Sequence, residues 1–132
     1  MDSNATLAPL SGFTQHLGIK IVEWREGFAR LSLTLRPELL NTSDSAHGGV
    51  LATLVDQACS RAGSYRQAPA LPRRVLTLSL NINYSGRAAI GEVYAEGHYR
   101  GGGNKVFFAD ACIVDANGDE IAFGSGTMRY RS

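Results

Sequence analysis

The residues of this chain that could do chemistry together lie in one short segment, Asn41-x5-His47-Gly48-Gly49-x6-Asp56. The apolar run after the glycine pair predicts a helix that begins there. The first N–H groups of a helix lack an intrahelical acceptor, and the helix dipole adds positive potential at the same end. Because glycines let a ligand approach the backbone closely, Gly48 and Gly49 could form an oxyanion hole that polarises a reacting carbonyl group.

Three polar side chains in this segment have candidate roles. His47 could donate a hydrogen bond to the carbonyl or hold the leaving group, and Asn41 could orient a water molecule or the reacting group. Asp56 is an ionisable residue on a helix whose other residues are mostly apolar, which is typical of a functional carboxylate. It could attack the carbonyl directly or remove a proton from an attacking water. Taken singly, His-Gly-Gly could be only a turn before a helix, and Asp56 only a surface or interface residue.

The spacing within the segment sets a condition on assembly. Asp56 lies eight residues beyond Gly48, which corresponds to about 12 Å along a helix. One carbonyl group cannot touch both residues of the same chain. If both are catalytic, the aspartate must come from a neighbouring subunit whose helix runs antiparallel. The hypothesis therefore requires at least a dimer.

The rest of the chain predicts the elements that position this segment. A weakly ordered lead-in and a short helix around residues 10–17 come first. The helix from His47 to about Gly63 is apolar around most of its circumference and belongs in the middle of a protein. Alternating apolar residues predict strands over residues 19–24, 28–36, 75–85, 90–100, 105–115 and 120–131, and the glycines at 101–103 predict a flexible hairpin joint. The order β-β-α-β-β-β-β indicates an α+β fold, with an antiparallel sheet curled around the helix.

Composition excludes several other classes of protein. At 132 residues the chain is expected to form one domain, residues 1–132, with a core that needs no disulfide or metal. The formal net charge of +1 does not favour a nucleic-acid partner. Cys59 and Cys112 lie in apolar runs and are expected to be buried free thiols, and no Cys/His cluster predicts a metal site. Without a secretory signal or a long apolar run, we expect a cytoplasmic enzyme with no membrane partner.

The segment HGGVLATLVDQA, the preceding Asn41 and the later strand LTLSLNINYSGRA resemble the hotdog-fold acyl-CoA thioesterases of the phenylacetate-degradation (PaaI-like) type. The resemblance extends from about residue 10 to residue 131. It implies a hotdog fold, in which a six-stranded antiparallel sheet wraps around one long helix, paired into homodimers that often stack as homotetramers. It also implies hydrolysis of an acyl-CoA to a free acid and CoA, with no cofactor, since CoA is part of the substrate.

The resemblance also implies a role for each matching position. Asn41 and His47 match residues that position the thioester and the water. Gly48 matches the oxyanion-hole amide. Asp56 matches the carboxylate from the partner subunit, which acts as nucleophile or as general base. Thr77 falls where such proteins carry a Ser or Thr that helps to orient the water or the carboxylate.

Further residues are candidates for binding the substrate. Gly49 is one of these candidates. In the family, CoA contacts tend to lie at strand ends and turns, where basic side chains could bind the CoA phosphates. The residues at such positions are Arg87, Arg100, Asn104 and Lys105. Each of them could instead be solvated surface.

Three other functions fit the same fold. A hydratase or dehydratase would pair its histidine and acid differently, and a non-catalytic acyl-CoA-binding module would not need a carboxylate facing the thioester. A thioesterase acting on an acyl-carrier protein is the third, and the near-neutral net charge gives no particular support to a highly acidic carrier. The sequence leaves the acyl group open, aryl or medium-chain.

Overall fold

A computed structural model describes residues 10–131. The described residues form two α-helices and six strands in the predicted order: α1 Gly12–Leu17, β1 Lys20–Arg25, β2 Phe28–Leu35, α2 Gly48–Ala62, β3 Val75–Tyr84, β4 Gly91–Gly102, β5 Val106–Asp115 and β6 Glu120–Tyr130. A single turn of 3-10 helix spans Pro37–Leu39. The predicted lead-in falls on residues 1–9, outside the described residues. None of the described helices combines the length and the apolar character that crossing a membrane requires.

The strands form one sheet in the order β1-β2-β4-β5-β6-β3, and every pair of neighbours is antiparallel. Alternation along β2 sends Leu31, Leu33 and Leu35 into the core, whereas Thr34 is exposed. Helix α2 packs against this inner face and contacts all six strands. The predicted α+β architecture, a six-stranded antiparallel sheet around one long helix, is confirmed.

The sequence indicates a helix that is apolar around most of its circumference, but part of the surface of α2 is polar. The side chains that face the sheet are buried: Val50, Leu51, Leu54, Val55, Ala58, Cys59 and Ala62. In its C-terminal half, the polar residues Asp56, Gln57, Ser60 and Arg61 remain partly exposed. The helix therefore has one polar face, at the end away from His47.

The helix approaches the sheet most closely at Gly97 of β4. A Cβ atom at this position would lie 2.1 Å from the carbonyl oxygen of Ala58, in the backbone of α2. We expect Gly97→Ala to lower the free energy of unfolding by about 1–3 kcal/mol or more, because helix and sheet must separate. Urea denaturation measures this change. Gly103→Ala is the matched control, since no atom of residues 10–131, apart from Gly103 and its two chain neighbours, lies within 4 Å of its added methyl group. Equal destabilisation by both variants would contradict the prediction.

The glycines at 101–103 differ from the expected flexible joint. Gly101 and Gly102 belong to β4, with φ of +138° and +149°, and they pair with β5. A Cβ atom at Gly102 would lie 2.5 Å from the Cα atom of Phe107. Only Gly103 begins the turn, where its N–H donates to the carbonyl of Val106 at 2.8 Å. Gly101 and Gly102 therefore form an irregular strand end whose backbone conformation does not suit other residues.

Candidate active site

The N-terminus of α2 is capped by His47. Its Nδ1 accepts a hydrogen bond from the N–H of Gly49 at 2.9 Å, so the neutral imidazole carries its proton on Nε2. The N–H of Gly49 is therefore engaged by the cap. The N–H of Gly48 has no acceptor among residues 10–131. Of the two predicted glycines, Gly48 thus presents the free amide, beside an exposed imidazole whose Nε2–H can donate.

Asn41 organises the loop that leads to this helix end. Its Oδ1 accepts hydrogen bonds from the N–H groups of Ser43 and Ser45, at 2.9 and 3.2 Å. Arg87 reinforces the same loop by donating from Nη2 to the carbonyl of Ser43 at 3.1 Å. Asn41, Gly48 and Arg87 line one cavity of about 190 Å3. These three predicted residues are therefore brought together.

Tyr84 is part of this end of the site, although the sequence pattern did not single it out. Its hydroxyl donates to the carbonyl of Gly48 at 2.8 Å, which ties the last residue of β3 to the first turn of α2. Nothing in the sequence separates this tyrosine from the other aromatic residues on strands.

Asp56 and Thr77 form the second part of the predicted site. The Thr77 Oγ1 donates to Asp56 Oδ1 at 2.5 Å, and the amide of Gln57 donates to Oδ2 at 3.3 Å. The carboxylate is half-buried on α2, and the threonine belongs to the edge strand β3. An oriented carboxylate with lone pairs left over can serve either as a nucleophile or as a base.

This carboxylate lies in the wall of a cleft of about 530 Å3. One side of the cleft is the polar face of α2, and the other is the loop before β3. Its apolar lining comes from Trp24, Leu71, Pro72 and Val75, and its basic lining from Arg61, Arg73 and Arg74. The sequence pattern identified neither Trp24 nor these arginines as site residues.

The predicted catalytic residues therefore fall into two groups at different positions along α2. Asn41, His47 and Gly48 surround the N-terminus of α2, and Asp56 lies with Thr77 two turns further along. The eight-residue offset between Gly48 and Asp56 places them about 12 Å apart along the axis. None of the residues that the structure describes lines both of their cavities. Within one chain, a single carbonyl group cannot reach both groups.

The remaining predicted substrate-binding residues lie in different places. Arg100 pairs with Asp110, with 3.2 Å between Nε and Oδ2. Asn104 and Lys105 line a cleft of about 360 Å3 that adjoins the Asp56 cleft, since Arg73 lines both. Arg73 is held between the two clefts, because its Nη2 donates to the carbonyl of Asn104 at 3.2 Å and its Cζ lies 3.4 Å from the centre of the Tyr130 ring.

The two cysteines are free, and only one matches its expected burial. Cys59 is buried next to the Asp56 cleft, and burial, with a smaller effect of the Asp56 and Asp110 charges, raises its pKa to about 12. It therefore stays protonated near neutral pH and is no nucleophile. Cys112 was expected to be buried but is half-exposed, because the two-residue period of β5 sends Ala111 and not Cys112 into the core. No group of three or more metal-ligating side chains occurs within residues 10–131.

Known proteins resemble this chain in sequence. Residues 44–122 match the Thioesterase superfamily. A putative esterase of Halobacterium salinarum is 30% identical over 131 residues, which cover 89% of this chain and 83% of that protein. The acyl-coenzyme A thioesterase PaaI of Escherichia coli is 45% identical over 42 residues, covering 32% of this chain and 30% of that protein.

Solved structures share the fold over nearly the whole chain. The PaaI protein of Escherichia coli superposes with a TM-score of 0.82 at 24% identity, covering 92% of this chain and 86% of that one. A conserved protein from Pseudomonas aeruginosa superposes with a TM-score of 0.83 at 26% identity, covering 92% and 95%.

Proposed function

Because this chain belongs to the thioesterase superfamily, we propose that it hydrolyses acyl-CoA thioesters to a free carboxylic acid and CoA, in an active site shared by two subunits. One observation carries the proposal. The Asp56 carboxylate, held by Thr77 in the wall of a cleft, lies on the same helix whose N-terminus presents the free Gly48 amide. A thioester hydrolase needs both kinds of group, an oriented carboxylate and an oxyanion donor.

The reaction follows from these groups. The carbonyl oxygen accepts a hydrogen bond from the Gly48 N–H, which stabilises the negative charge that develops as the carbon is attacked. Asp56 either attacks this carbon itself, giving a mixed anhydride that water then hydrolyses, or takes the proton of an attacking water. In both routes the C–S bond breaks and the CoA thiolate leaves. The Nε2–H of His47 can donate to the carbonyl oxygen or to the leaving sulfur.

The adjoining basic cleft supports CoA as the carrier. Arg73 lines the Asp56 cleft and the neighbouring one, where Lys105, Arg129 and Arg131 add positive charge. CoA carries phosphate groups at some distance from its thioester, and arginine forks bind phosphate well. The PaaI protein, similar over 42 residues, is named as an acyl-coenzyme A thioesterase.

The edge strand β3 supports assembly through a second copy. It is ten residues long, and among the described strands it pairs on one side only, with β6. Its exposed large side chains include Leu76, Leu78 and Tyr84, at 48%, 55% and 54% exposure. A long apolar edge is a template for strand pairing with another chain. A two-fold dimer through β3 would also set the Asp56–Thr77 pair near the interface.

The first test is release of free thiol from a panel of aryl- and alkyl-CoAs. We expect turnover of at least one substrate, and light scattering is expected to give at least twice the chain mass of 14.1 kDa. Binding of acyl-CoAs without turnover would overturn hydrolysis and support a non-catalytic binding module. Faster turnover of the same acyl group on an acyl-carrier protein would overturn the choice of CoA as carrier.

A further inference from the structure

Arg61, in the last turn of α2, has no acidic partner for its charge among residues 10–131, although its guanidinium lies over the Trp24 ring. Its Nε is the one buried side-chain nitrogen or oxygen without a hydrogen-bond partner among residues 10–131. The guanidinium forms no ion pair with a described residue. Its backbone, in contrast, is fixed, because the carbonyl of Arg61 accepts a hydrogen bond from Trp24 Nε1 at 2.7 Å. An unpaired, half-buried guanidinium at a rigid position calls for a ligand that supplies its counter-ion.

The position of Arg61 indicates where that ligand lies. Arg61 lines the same cleft as Asp56, five residues further along α2, which is about 7.5 Å along the axis. Its Cζ lies 5.1 Å from the centre of the buried Trp24 ring. Among the described residues, Asp56 is the only acidic one that lines this cleft, and it is engaged by Thr77. The cleft thus offers a second, cationic end beyond the reacting group.

We propose that Arg61 binds a carboxylate at the far end of the acyl group, so that the preferred substrates are CoA monothioesters of dicarboxylic acids. This inference rests on the proposed function, since it needs the thioester to lie at Asp56. The axial distance of about 7.5 Å suits an acyl chain of roughly six carbons. The apolar side chains of Leu71, Pro72 and Val75, which line the same cleft, are suited to the methylene groups between the two ends.

The CoA phosphates are a less suitable partner for Arg61. The CoA phosphates have other cations available, because Arg73, Lys105 and Arg129 line the adjoining cleft, which Arg61 does not line. Burial also lowers the pKa of Arg61, which reflects the loss of solvent around its charge. A carboxylate that accepts two hydrogen bonds from the guanidinium would compensate for that loss.

The test compares adipyl-CoA with hexanoyl-CoA, two six-carbon substrates that differ by the terminal carboxylate. We expect kcat/KM of the wild type to favour adipyl-CoA by on the order of a hundredfold, the scale of a charged hydrogen-bonded pair. Arg61→Met should reduce this ratio to near one, and Arg61→Lys, which keeps the charge without the fork, should give an intermediate ratio. Arg25→Met is the control, since Arg25 is a surface residue already paired with Glu23.

Both substrates are assayed on one preparation, so that any loss of folded protein cancels in the ratio. A wild type without preference, or an Arg61→Met variant with an unchanged ratio, would overturn the inference while leaving hydrolysis intact. Equal losses on both substrates leave the ratio unchanged and overturn the inference in the same way. If neither substrate nor any other acyl-CoA is hydrolysed, the proposed function itself fails, and the inference fails with it.

Discussion

Asp56→Asn should lower kcat for acyl-CoA hydrolysis by at least about a hundredfold, the usual contribution of a general base or more. Asparagine has nearly the same shape, and its carbonyl oxygen can still accept the hydrogen bond that Thr77 Oγ1 donates to Asp56. It can neither attack a thioester nor take a proton from water. We therefore expect a folded protein that binds acyl-CoA and does not turn it over. Steady-state thiol release and calorimetric binding measure the two properties separately.

Asp119→Asn provides the control for this loss of charge. Asp119 is exposed in the turn between β5 and β6, far along the chain from the residues that line the Asp56 cleft and the Gly48 cavity. Asp119→Asn should therefore keep the wild-type rate. An Asp56→Asn variant as active as the wild type would remove Asp56 from the mechanism. A single turnover of the wild type in water enriched in heavy oxygen tests the nucleophilic route, because label enters the Asp56 carboxylate only through an anhydride that water opens at the aspartyl carbon.

The fold was predictable because its periodicities are local. The period of two along β2 and β5 and the apolar run after Gly49 identify strands and helix from neighbouring residues alone. Their ends agree with the structure to within two residues. The resemblance to PaaI-like hotdog thioesterases is also confirmed, by the family match and by the shared fold.

The site was predictable only in part, because its contacts are not local. The capping bond of His47 to Gly49 spans two residues and follows from the helix start. The contact between Asp56 and Thr77 spans 21 residues, and only the family resemblance suggested a role for this threonine. The roles of both residues in catalysis stay predictions until variants are assayed.

The environment of Arg61 could not be predicted from the sequence. In the sequence Arg61 is one polar residue on an apolar helix, and such an arginine is normally expected to reach solvent. Its environment depends on how the end of α2 meets Trp24 on the edge strand β1 and the loop that carries Leu71. These contacts join segments that are far apart in the chain. No periodicity or spacing encodes them.

Gly48→Pro should lower kcat by about 10²- to 10³-fold, the usual effect of losing one oxyanion-hole donor. Proline has no N–H but is well tolerated at the first position of a helix, which Gly48 occupies. The preceding residue, His47, already has the extended backbone that proline favours before it, with φ −61° and ψ 135°. The substitution thus removes the free amide and leaves the helix start intact. Initial rates of thiol release and circular dichroism test both statements.

Gly48→Ala separates the effect of losing the amide N–H from the effect of the added side-chain atoms. A Cβ atom at Gly48 lies 3.3 Å from the Tyr84 ring in either variant, but alanine keeps the N–H, so we expect only a small loss of rate.

Mixing Asp56→Asn with Gly48→Pro tests the shared site. In a mixed dimer of these variants, one of the two sites takes Asp56 from the Gly48→Pro chain and Gly48 from the Asp56→Asn chain, so that site is intact. Random reassembly of equal amounts should then restore about a quarter of the wild-type activity. If the mixture is no more active than its parents, Asp56 and Gly48 do not act together across the interface. Their separation along α2 also prevents one chain from applying both groups to one carbonyl group. The Gly48 amide would then have to be dropped from the mechanism.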